Sequence, residues 1–134
     1  MNLKKAMDDI TAARLLLSPA SNPTNDKGLF DLAAYHIQQG IEKALKHLLH
    51  DHYGMDDTTR KFRTHDLAAL IFLVEGYGFQ VSNGLKRRAS DISDWETNSR
   101  YGGNLLIEKR EMEEAITLFY ELISQIKDLK VNNN

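Results

Sequence analysis

The sequence predicts an all-α domain, an antiparallel four- to five-helix up-and-down bundle. Three long stretches repeat their apolar residues at alternating spacings of three and four. No run alternates with period two between hairpin turns. Composition agrees: 134 residues, 42% hydrophobic and 27% charged, suffice for one globular core over 1–134, with a loose tail at 130–134.

The first helix is expected from about Asn2 to Leu17, with Leu3, Ala6, Ile10, Ala13 and Leu17 on one stripe. Ser18-Pro19 ends it, because the residue before a proline disfavours the α region. A polar segment follows, and Asp26 offers an N-cap for a second helix from about Gly28 to Asp51. Phe30, Ala34, Ile37, Ile41, Leu45 and Leu48 form that helix's inner stripe. After a polar connection over 52–63, Thr64 or His65 opens a third helix carrying Leu67, Leu70, Ile71 and Val74 to Gly76. A shorter fourth helix starts near Ser82 or Asn83 and reaches the mid-90s through Leu85, Ala89 and Ile92. Residues 99–104, with Gly102-Gly103, read as loop. The last helix runs from about Leu106 to Leu129, its stripe being Met112, Ile116, Phe119, Ile123 and Ile126. The wide stripes on the second and last helices leave apolar surface for a partner chain, so self-association is expected.

Composition also excludes chemistry. Without cysteine there is no disulfide framework, thiol nucleophile or thiolate metal site. The net charge of -2 argues against holding nucleic acid by bulk positive charge alone. No signal peptide is readable and no apolar run approaches a membrane span, so the expectation is a cytoplasmic protein without membrane contact. No phosphate-cradling glycine loop, nucleophile elbow or HExxH is present. His47, His50 and His52, near Asp51, Asp56 and Asp57, fall short of directional ligand spacing, so no metal and no cofactor is expected.

Three polar features remain. Gln39, Glu42 and Lys46 share one face of the second helix, with Glu42 and Lys46 at i,i+4 in the favourable order. A solvated, salt-bridged face is the plain alternative. In Thr64-His65-Asp66-Leu67, Thr64 can cap the third helix and Asp66 sits in its first turn. His65 is then partly exposed, able to serve as acid, base or donor, or simply incidental to a capping motif. Arg100-Tyr101, following Trp95 and preceding the glycine pair, can clamp a phosphate or stack on a base, or pair with a carboxylate of the bundle. Lys86-Arg87-Arg88, together with Arg60, Lys61 and Arg63, can form a basic lip for RNA phosphates or stand as solvated surface.

The stretch from His36 to Lys46, with its glutamine, Glu42-Lys43 and Lys46, resembles the signature second helix of HEPN domains. Thr64-His65-Asp66-Leu67 is similar to the motif that opens the third helix of that family, and Arg100-Tyr101 to its Arg-Tyr-Pro. The order and spacing agree across most of the chain. The resemblance implies a helical bundle, a homodimer, nucleotide or RNA binding, and a place in prokaryotic toxin–antitoxin or defence modules. There its partner is often a minimal nucleotidyltransferase. Many members are metal-independent RNases that use an Arg-x4-6-His motif from two protomers. This sequence lacks that motif at its usual place, since His65 is the last histidine. Arg60 and His65 match the spacing in letters only, straddling a loop and a helix start.

The sequence therefore points to Gln39, Glu42, Lys46, His65, Asp66, Arg100 and Tyr101 as the polar lining of one ligand cleft. In that cleft Lys46 and Arg100 would meet phosphate, Glu42 would orient them, and Tyr101 would stack or hydrogen-bond. His65 and Arg100 are the candidates for any catalytic role. The rival expectation is a non-catalytic interaction and dimerisation bundle whose motif residues buttress the helices. An RNase working through Arg60 and His65 is a third.

Overall fold

The computed structural model describes residues 3–100 and 102–132, the side chains of 99, 100 and 130–132 excepted. The described residues form a helical bundle: α1 (Leu3–Leu17), α2 (Lys27–His47), α3 (Leu67–Gly76), α4 (Asn83–Arg100) and α5 (Lys109–Asn132), with no strand among them. None of these helices is long and apolar enough to cross a membrane.

The inner stripes of the helices meet on α2, which touches each of the other four. Ile10 of α1, Ile37, Ile41 and Leu45 of α2, Leu70 of α3, Ile92 of α4 and Phe119 of α5 are fully buried. Such burial is the main favourable term in folding. α1 approaches α2 closely at Gly40, where a Cβ would sit 3.0 Å from Ile10 Cδ1 and 3.2 Å from the Ala6 carbonyl oxygen. Asp9, polar yet buried, fastens the same pair of helices. Its Oδ2 accepts from Lys43 Nζ at 2.6 Å and its Oδ1 lies 2.9 Å from His36 Nδ1.

Asp26 caps α2 as expected, its carboxylate accepting from Leu29 N at 3.1 Å. Beyond His47 the helix widens into one π-helical turn, Leu48–His52, closed by Tyr53 N to Leu48 O at 3.1 Å.

Three boundaries differ from the expected ones, each for a local reason. α3 opens at Leu67 because Asp66, not Thr64, is its N-cap: Asp66 Oδ1 accepts from Ala68 N at 3.0 Å and Ala69 N at 3.3 Å. Thr64 Oγ1 instead accepts from Asp66 N at 3.0 Å, which holds the cap in its extended conformation. α4 continues past the mid-90s to Arg100. Its last turns carry buried polar residues, Glu96 and Asn98, in place of an apolar stripe. Asn98 Oδ1 accepts from Leu105 N at 2.8 Å and its Nδ2 donates to Asp31 Oδ1 at 3.3 Å, tying the helix end to α2 and to the following loop. α5 begins at Lys109 rather than Leu106, because the Glu108 carbonyl accepts from Glu111 N and Met112 N.

Candidate ligand-binding site

The polar face of α2 is built on spacings of four. Gln38, Glu42 and Lys46 stand one turn apart, and all three are buried. A carboxylate out of water needs donors at both oxygens. Glu42 has them: Oε2 accepts from Lys46 Nζ at 3.0 Å, and Oε1 accepts from Gln38 Nε2 at 2.9 Å. Lys46 also sits over the ring of the buried Phe62, 5.5 Å from its centroid. Thus Lys46 is held inward by Glu42 and Phe62. Gln39 is the outer member of the row, its Nε2 donating to Gln38 Oε1 at 2.7 Å.

The third donor to Glu42 comes from the segment before α3. His65 Nδ1 lies 2.9 Å from Glu42 Oε1, while Gln38 Nε2 donates to the His65 carbonyl at 3.3 Å. An ionised carboxylate only accepts, so this contact places the ring hydrogen on Nδ1. In the neutral imidazole Nε2 is then a bare acceptor. The ring remains half-exposed, with 53% of the side chain open, against 7% for Glu42. A buried, charge-balanced network therefore aims one half-exposed imidazole at the surface.

That imidazole lines an open cavity of about 260 Å³ between the start of α3 and the outer face of α4. Ser90, Ser93, Asp94 and Thr97 also line it, together with the capping Asp66 and the buried Glu96. Ser93 fixes the two walls: its Oγ accepts from Leu67 N at 2.9 Å and donates to the Ala89 carbonyl at 2.8 Å. Its hydroxyls, carboxylates and imidazole can hydrogen-bond a polar ligand.

Among the residues expected from sequence, Glu42, Lys46 and His65 form one connected network, with Gln39 joined through Gln38 and Asp66 at the rim of the cavity. Arg100 is the last residue of α4, and its side chain, like the whole of Tyr101, lies outside the described residues. Trp95 is buried on the core face of α4. Gln38 was missed. The signal that finds it is the i, i+4 step from Gln38 to Glu42, repeated from Glu42 to Lys46.

The remaining clusters have other work. His47 Nδ1 pairs with Asp51 Oδ2 at 2.9 Å, and His50 Nδ1 lies 2.9 Å from the Met55 carbonyl. Among the described residues no group of three or more such side chains is arranged to hold a metal ion. Lys86 pairs with Glu75 at 2.9 Å, and Arg88 makes a two-point contact to Glu114 at 3.2 Å, so these α4 cations are spent within the bundle. Arg60, Lys61 and Arg63 are exposed, and none of the three is in an ion pair among the described residues.

Comparison with known families matches residues 2–129 to the HEPN domain. No curated protein and no solved structure matches the chain.

Proposed function

Because the chain belongs to the HEPN domain family, we propose that it binds a nucleotide or RNA at the cavity beside His65. In this reading it is a homodimer and one component of a prokaryotic toxin–antitoxin or defence module, with a minimal nucleotidyltransferase as its partner protein. The observation that supports the site is the 2.9 Å contact of His65 Nδ1 with the buried Glu42 carboxylate, which leaves Nε2 on a half-exposed ring at the cavity. Gln38, Glu42 and Lys46 act as positioning residues for that ring. The roles of Arg100, for phosphate charge, and of Tyr101, as a stacking face, are carried over from the family resemblance.

The reading is of binding, not cleavage, since the family's Arg-x4-6-His motif is missing at its usual place. The test is fluorescence anisotropy with a labelled RNA, and calorimetry with a mononucleotide, on wild type, His65→Ala and Arg100→Ala. Both variants should stay folded by circular dichroism and lose affinity. Unchanged affinity in both folded variants would remove this site. A parallel ribonuclease assay in EDTA checks the chemistry. Cleavage by wild type that disappears in either variant would make the domain a metal-independent RNase.

A second reading, a non-catalytic interaction bundle, is favoured by two bare apolar side chains. Phe72 is 77% exposed and Leu106 is 81% exposed. It predicts that Phe72→Ala and Leu106→Ala change the sedimentation of the protein while His65→Ala does not.

A further inference from the structure

We propose that Phe72 and the basic segment before α3 form a second subsite, which takes an unpaired base of single-stranded RNA beside the nucleotide held at His65. This rests on the reading of the His65 cavity as a nucleotide site, and extends it to a longer ligand and a separate surface.

The first observation is an apolar helix packed on only one side. α3 buries Leu67, Leu70, Ile71 and Val74 against the bundle, yet its outer face carries Phe72, 77% exposed. Isolated exposed apolar residues are ordinary, but a nearly bare phenyl ring over a hollow is not. The hollow is an open depression of about 270 Å³ lined by Lys61, Thr64, Ala69, Phe72 and Leu73.

The second observation is charge. The chain is net -2, and the α4 cations Lys86 and Arg88 are engaged by carboxylates. Arg60, Lys61 and Arg63 stand exposed together, outside any ion pair among the described residues, and Lys61 itself lines the depression. An aromatic face with unspent cations at its edge is the chemistry that holds single strands: bases stack on the ring and phosphates lie along the cations.

The third observation is continuity. Thr64 lines the Phe72 depression, and its chain neighbour His65 lines the other cavity. A strand with one nucleotide at His65 therefore has the Phe72 ring and the cations of 60–63 within the span of the next few residues. A second copy of the chain fits the same surface poorly. A two-fold interface centred on this segment would set each cluster of Arg60, Lys61 and Arg63 against its own image.

The experiment measures affinity for a labelled, unstructured single-stranded RNA and, separately, for AMP. The proteins are wild type, Phe72→Ala, Phe72→Trp, the triple variant Arg60→Gln/Lys61→Gln/Arg63→Gln, and His65→Ala. Phe72→Ala should weaken RNA binding roughly tenfold or more and leave AMP binding as in wild type. Phe72→Trp should restore it. The triple variant should flatten the salt dependence of RNA binding. Phe72→Ala binding RNA like wild type would overturn the subsite, as would equal affinity for a duplex of the same length. So would Phe72→Ala turning a dimer into a monomer in sedimentation, which would assign the ring to a protein interface. Loss of AMP binding in His65→Ala with no effect of Phe72→Ala on RNA would discard the subsite and leave the His65 site standing. Wild type that binds neither ligand would end both.

Discussion

Glu42→Ala is the substitution whose cost the structure defines best. It removes an acceptor that serves Lys46 Nζ at 3.0 Å, Gln38 Nε2 at 2.9 Å and His65 Nδ1 at 2.9 Å. Gln38 keeps a contact to the His65 carbonyl at 3.3 Å, and the half-exposed His65 can turn to water. Lys46 has neither remedy. Only 8% of its side chain is accessible, and its remaining neighbour for a cation is the Phe62 ring. Leaving a buried charge without its partner costs about 3 to 5 kcal/mol. The 8% that does reach water lets the freed ammonium keep part of its hydration and favours the low end, about 3 kcal/mol, or on the order of 10 °C in Tm for a domain of this size. The assay is urea unfolding followed by circular dichroism, with Lys46→Met and the double variant Glu42→Leu/Lys46→Met alongside. The double variant should recover to within about 1 kcal/mol of wild type, because it removes both charges together. A Glu42→Ala penalty below about 1 kcal/mol, or a double variant no better than the single, would show that the pair is not buried as described.

Further outcomes follow from the same contacts. Asp66→Ala should cost about 1 kcal/mol by removing the acceptor for Ala68 N and Ala69 N, and Asp66→Asn should restore most of it in a thermal melt. Gly40→Val should destabilise by about 2 kcal/mol or more, since a Cβ alone already lies 3.2 Å from the Ala6 carbonyl oxygen of α1; a neutral melt would refute the close approach. Glu75 titrates below its ordinary value of 4.5, chiefly because Lys86 donates to its carboxylate, with Val81 N helping. A depressed carboxylate pKa contributes stability that is present above the ordinary value and lost as pH falls through the lowered one. The unfolding midpoint of Glu75→Gln should therefore change less between pH 6 and pH 3 than that of wild type; parallel curves would show that this α3–α4 contact carries no pH dependence.

The helices were legible because their burial is apolar and periodic. Ala6, Ile10, Ala13 and Leu17 of α1, and Ile37, Ile41 and Leu45 of α2, face inward as their spacing requires. What escaped the pattern is polar burial. Asp9 reads as a surface residue until Lys43 and His36 of the next helix close on it. Asn98 carries α4 beyond its apolar stripe by hydrogen bonding, which hydropathy does not record. The site was half legible. Glu42, Lys46 and His65 could be named from sequence, but not the inward direction of Lys46, which depends on Phe62 arriving from a loop. Of the adjacent glutamines Gln38 and Gln39, the four-residue step to Glu42 selects Gln38, while the i, i+3 and i+7 spacing with Glu42 and Lys46 points to Gln39. The π-helical turn at 48–52 has no signature in apolar spacing.

The central place of α2 governs how the molecule opens. An amide on this helix exchanges with solvent only when neighbours on several sides have moved away, so its slowest protons should report global unfolding. Glu42 rides on that helix, whereas His65 stands on an irregular segment outside it. The imidazole can therefore sample solvent on fast, local fluctuations while the carboxylate that returns it to position stays fixed until the whole fold gives way.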